Sequence, residues 1–94
     1  QLKHEELRQI VGLMLADMVQ ELAEKGITLS VSEEAKDLIL KEGYDPKYGA
    51  RPIRRVIQKR IEDAVAHMLI RSEIGAGDTV EAAAEEGRVA VRKR

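Results

Sequence analysis

Cysteine, tryptophan and phenylalanine are absent from this 94-residue chain, and proline occurs only twice. Without a thiol there is no disulfide, no thiolate metal site and no cysteine nucleophile, which fits a reducing compartment, so the expectation is a cytoplasmic protein. The only aromatics are two tyrosines, so the core must be built from Leu, Ile, Val, Met and Ala. No apolar run approaches the about 18 residues that span a bilayer. The first residues, Gln1-Leu2-Lys3-His4-Glu5-Glu6, also lack the apolar centre of a signal peptide. The expectation is a soluble chain, without membrane contact, cut from something longer. Catalytic signatures are missing too: GxxxxGK[ST], GxGxxG and HExxH do not occur. His4 and His67 stand far apart without a ligand set around either, which argues against a metal site.

What is present is a globular composition, 44% hydrophobic and 35% charged, of a size that suits one domain over 1–94. Apolar residues at Leu7, Ile10, Val11, Met14, Leu15, Met18, Val19 and Leu22 share one broad helical face, predicting a first helix from about Lys3 to Lys25. Gly26 stands where a left-handed C-terminal cap is wanted. Ile27 to Val31 alternates as a short strand. Ser32 caps a second helix, with Glu33 and Glu34 in its first turn and Gly43 as its stop. Pro52 suits the first position of a long third helix reaching Arg71, whose apolar stripe includes Ile53, Val56, Ile57, Ile61, Val65 and Met68. Arg60 falls inside that stripe and needs an acid partner or a path to water. After a turn at Gly75-Ala76-Gly77-Asp78, Thr79 to Ala83 and Arg88 to Arg92 read as a hairpin around Glu85-Glu86-Gly87. The order α-β-α-α-β-β predicts an α+β domain: three main helices covering a small three-stranded sheet.

The net charge of −1 is unevenly spread. Pro46 to Arg60 carries Lys47, Arg51, Arg54, Arg55, Lys59 and Arg60 with no acid, leaving the rest of the chain at −7. Such a stretch either meets an anionic partner or is neutralised by the domain's own acidic helices. A nucleic-acid-binding module is one reading of it, although the surrounding surface is acidic and no aromatics line a strand for base stacking. An oligomerisation module, assembled through wide apolar helix faces, is another.

The same stretch overlaps the one unusual segment, Gly43-Tyr44-Asp45-Pro46-Lys47-Tyr48-Gly49-Ala50-Arg51-Pro52, which holds both tyrosines and both prolines. Asp45-Pro46 favours a turn, and Gly49 permits positive φ or a close backbone approach. Arg51 sits just before a helix start, where its planar fork of donors adds to free N–H groups and the positive dipole end, a geometry suited to phosphate. Alternatively the glycines and prolines only punctuate, the tyrosines plug the core, and Arg51 pairs with Asp45 or with an acid of the second helix.

GYDPKYGARPIRRVIQKRIEDAVAHML resembles the C-terminal small, or lid, domain of the second AAA+ module in Clp/Hsp100 ATPases of the ClpA, ClpB and ClpC type, and slightly more the ClpC type. The resemblance covers nearly the whole chain. It implies that Arg51 is the sensor-2 arginine reaching the terminal phosphate of ATP, with Gly49 and Ala50 setting its approach. It further implies that Ile10 and Val11 border the adenine pocket. ATP or ADP with Mg²⁺ would be bound mainly by a large subdomain carrying the Walker segments, so this domain alone should not hydrolyse ATP. The implied partners are that large subdomain, neighbouring subunits of a homohexamer, protein substrates for unfolding, and a ClpP-type peptidase; no nucleic acid is implied.

Overall fold

The computed structural model describes residues 3–94. Helix α1 (His4–Glu24) leads to strand β1 (Thr28–Val31) and helix α2 (Glu33–Gly43). After the loop come α3 (Ile53–Ile57), a π-helical segment (Gln58–Glu62) and α4 (Asp63–Ile70), then strands β2 (Thr79–Glu85) and β3 (Arg88–Lys93). The expected α+β domain is thus observed, with its elements in the expected order.

The long third helix is not a continuous α-helix as expected. Backbone angles stay helical at its internal junctions, but the N–H of Asp63 reaches back five residues to Gln58 O. The buried residues Ile57, Ile61 and Val65 recur every four positions, a spacing that the wider π turn satisfies as well as the α turn. The helix also opens one residue later than expected. Pro52 takes helical angles (φ −72°, ψ −9°) as the flanking residue, and Ile53 is the first in the helix. Arg60 finds its acid: Nε and Nη2 donate to the Glu42 carboxylate at 3.0 and 2.9 Å, linking the π segment to α2.

Local chemistry explains the ends. Ser32 Oγ accepts from Ala35 N at 3.1 Å and caps α2. At the end of α1, Gly26 (φ 83°) donates to Ala23 O and Ile27 to Leu22 O, a paired C-terminal cap that also brings the buried side chains of Ile27 and Leu22 to one place. The same pair of bonds ends α4, from Ser72 to Leu69 O and from Glu73 to Met68 O, but here the left-handed residue is Ser72 (φ 60°). A left-handed non-glycine residue costs about 1–2 kcal/mol. Ser72→Gly is therefore expected to raise unfolding free energy by roughly 0.5–1 kcal/mol after glycine's own entropy is subtracted, measured as an increased urea midpoint at unchanged slope.

In the sheet, β2 is central. It pairs parallel with β1, Thr28 opposite Thr79 and Val31 opposite Ala82, and antiparallel with β3, Val80 opposite Lys93 and Glu85 opposite Arg88. The hairpin turn is Glu86-Gly87 alone, both left-handed, one residue shorter than the expected turn. Helices and sheet close on an aliphatic core whose most completely buried members are Val11, Ile27, Ile39, Ile53, Ile61 and Val80. Among the described residues no charged or polar side chain is buried.

One bidentate pair fastens α1 to α2. Arg8 Nη2 donates to both Asp37 oxygens at 2.7 and 2.8 Å, and Nε adds a third bond at 3.0 Å. The Arg8 hydrogen bond, assisted by its charge and by His4, holds the Asp37 carboxyl below the usual carboxylate range. A carboxyl whose folded pKa is depressed stabilises the fold above its unfolded pKa of about 3.9 and loses that contribution as pH falls further. Stability should therefore decline below pH about 4, and Arg8→Met should flatten that decline in urea titrations run at successive pH values.

Candidate functional site

The GYDPKYGARP segment leaves α2 and enters α3 through a compact turn. Tyr44 N donates to Leu40 O at 2.9 Å, closing α2. Asp45 and Gly49 then face each other as an antiparallel bridge, Asp45 N to Gly49 O at 2.9 Å and Gly49 N to Asp45 O at 2.6 Å. Asp45 Oδ1 accepts from Lys47 N at 2.7 Å and Tyr48 N at 3.1 Å, so the side chain organises the turn it begins. Gly49 takes φ 65°, the conformation for which glycine suits this position. Arg51 N donates to Tyr48 O, and Ile53 N to Ala50 O at 3.0 Å, which ties the turn to the start of α3.

A second glycine of this segment, Gly43, acts differently from the helix stop expected of it. It is buried as the last residue of α2, and a Cβ there would lie 2.8 Å from Ile53 Cα and 2.9 Å from its Cγ1. Its role is close approach of α2 to α3, which the pattern of apolar residues does not reveal.

Arg51 is exposed, and among the described residues no carboxylate comes within ion-pair reach of it. Pairing with Asp45 is thus not observed, the Asp45 carboxylate being engaged with the loop's own N–H groups. The tyrosines are not core plugs either: Tyr48 is 53% exposed, with Lys47 Nζ 5.4 Å from its ring centre, and Tyr44 is 37% exposed. Arg51 lines an open depression of about 450 Å³ together with Tyr48, Pro52, Arg54, Arg55 and Gln58. No carboxylate borders it, and the start of α3 has no side-chain cap. Such a surface can hold an anion but has no ligand for a cation.

Of the six cations between Pro46 and Arg60, only Arg60 is neutralised by an acid among the described residues. Sequence reasoning noted the run of charge yet did not assign Arg54, Arg55 or Gln58 to the depression. The spacing of Arg54 and Gln58, four positions apart and so on one helical face, is the signal that could have done so. Ile10 and Val11 lie on α1, and Val11 is fully buried in the domain's own core while Ile10 keeps part of its surface. His4 Nε2 stands 3.4 Å from Asp37 and His67 is exposed on α4; among the described residues no three His, Cys, Asp or Glu side chains group to hold a metal. No helix among them is long and apolar enough to cross a membrane.

The family described as the C-terminal, D2-small domain, of ClpB protein matches residues 2–82. Chaperone protein ClpB 1 of Synechococcus elongatus is 40% identical over 94% of the chain, and the chloroplastic chaperone protein ClpC3 of Oryza sativa 44% identical over 85%. An ATP-dependent Clp protease ATP-binding subunit ClpA homolog of Cyanidium caldarium is 40% identical over 83%. The chain spans about a tenth of the length of these relatives, 10%, 9% and 9% respectively. With residues 2–82 matched and an α+β fold, the chain belongs to the family of the C-terminal, D2-small domain, of ClpB protein.

Proposed function

We propose that this domain is the lid of a Clp-type AAA+ ATPase and that Arg51 senses the terminal phosphate of ATP held on a large subdomain. The observation that carries the reading is an exposed arginine, without a carboxylate in reach among the described residues, held at a helix start by a loop organised on Asp45 and Gly49. Gly49 supplies the left-handed turn, and Ala50 O receives the first helical N–H, so both set the position from which Arg51 extends. Ile10 borders the adenine, and Val11 holds that turn of α1 against the core.

The depression suits the phosphates of ATP or ADP and lacks any group for Mg²⁺, whose coordination falls to the large subdomain. Arg51 acts by charge and position, stabilising the developing charge of phosphoryl transfer and drawing the lid toward an occupied site. By itself the domain binds no complete nucleotide site and does not turn ATP over. In the whole protein, the lid's movement couples hydrolysis to a homohexameric ring that unfolds protein substrates, for disaggregation or for a ClpP-type peptidase. The test is ATP turnover by the ring ATPase carrying this domain, with and without Arg51→Ala, alongside ring assembly by light scattering. Normal turnover in the variant would reduce the domain to an assembly element.

A further inference from the structure

Among the described residues, Arg54 is the charged side chain common to two depressions of opposite sign. On one side lies the open depression it shares with Arg51, about 450 Å³ and without a carboxylate. On the other lies a narrow one of about 60 Å³ between α1 and the long helix, lined by Asp17, Glu21 and Glu62 with Met14 and Met18. Gln58, one turn further along, also borders both but carries no charge. Arg54 is exposed, and no carboxylate stands within ion-pair reach of it among the described residues. The three carboxylates likewise have no cation within that reach. Lys25 borders only the adjoining depression toward α4.

Both sides attract the same guanidinium. Like charges around the narrow depression repel one another, and a cation brought among them relieves that repulsion. Its volume is too small for a separate ligand but suits the end of a side chain that already lines it. Met14 and Met18 give an adaptable apolar surface for the arginine stem. Phosphate in the open depression draws Arg54 the other way. One guanidinium cannot serve both sides at once, so the fraction of Arg54 held among the carboxylates lowers the apparent affinity for phosphate.

We propose that Arg54 is a second phosphate-binding residue of the nucleotide site, and that Asp17, Glu21 and Glu62 compete with phosphate for it and so weaken nucleotide binding. The inference rests on the reading that the open depression meets the phosphates of ATP or ADP. Arg54 touches the ligand, whereas the carboxylates act through Arg54 and are positioning residues.

The test is binding of a fluorescent ADP analogue to the ring ATPase carrying this domain. Asp17→Asn with Glu21→Gln should lower the Kd about threefold to tenfold, the size of one or two exposed charge interactions, and slow ADP dissociation to match. Asp17→Glu with Glu21→Asp keeps both charges and should bind like the parent. The gain should fade at about 0.5 M salt, where the screening length is well under 10 Å. In an Arg54→Gln background, neutralising the two carboxylates should change nothing, because the group they compete for is gone. Circular dichroism melting establishes that the variants fold; should one not fold, the single substitutions Asp17→Asn and Glu21→Gln decide, each tightening binding by a smaller factor. An unchanged Kd on neutralisation, or an equal gain without Arg54, would overturn the inference. Arg51→Ala, run alongside, separates the two levels. If that variant binds and turns over nucleotide like the parent, the phosphate reading fails and takes this inference with it; if it is impaired while the carboxylate variants bind like the parent, this inference alone fails.

Discussion

Arg51→Ala is expected to lower ATP turnover by the ring ATPase on the order of 10²-fold, the loss typical of removing one preorganised donor from developing charge. Ring assembly and the melting temperature of the domain should stay close to those of the parent, because Arg51 is exposed and contributes no ion pair among the described residues. Arg51→Lys sharpens the expectation. Lysine keeps the charge but loses the planar fork of donors, so only part of the activity should return. Full recovery with lysine would show that charge alone acts at this position, and an unaffected alanine variant would remove Arg51 from the chemistry.

The second large effect belongs to Gly43. In an exposed helix interior, glycine to alanine is stabilising by up to about 1 kcal/mol, because alanine is the better helix former. Here the new methyl would lie 2.8 Å from the backbone of Ile53 and 3.2 Å from Val56 Cγ2. Backbone cannot swing aside as a flexible side chain can, so α2 and α3 must separate, at a cost of about 1–3 kcal/mol for an overpacked contact. Packing outweighs propensity, and the expected sign reverses. For a domain of this size the melting temperature should fall on the order of 10 °C, read by calorimetry. Since Ile53 N anchors Ala50 O at 3.0 Å, the displacement passes directly to the residue before Arg51. Turnover should therefore decline in the Gly43→Ala ring even at temperatures where the domain stays folded. A stabilised variant would mean that the contact relaxes without effort.

The helices and strands were legible because each leaves a local mark: the apolar stripe of α1, the Ser32 cap, the glycine after Lys25. The β2–β3 hairpin was marked by its Glu86-Gly87 turn, but how β1 pairs left no such mark. β1 lies parallel to β2 across a connection that contains α2, the loop and the long helix, and periodicity within a strand says which face is buried, not which neighbour it meets. The π segment was illegible for a related reason, since Ile57, Ile61 and Val65 fit either helical pitch. At the candidate site, residue type pointed to an anion but could not decide whether Arg51 was already paired. That depended on where Asp45 turned its carboxylate, and two short hydrogen bonds inside the loop keep it there. Gly43 was read as punctuation because a sequence does not show which backbone lies within 3 Å of it.

From Ile53 to Ile70 the helical run is roughly 27 Å long at 1.5 Å per residue. It begins beside Arg51, and at its far end the Ser72 and Glu73 bonds lead through buried Ile74 to the hairpin. Because Ile57, Ile61 and Val65 bury this run in the core and Arg60 ties it to α2, it can move only with the whole domain. A rotation of the domain by about 10° about the loop therefore carries the Ile70 end through roughly 5 Å, the distance between neighbouring strands.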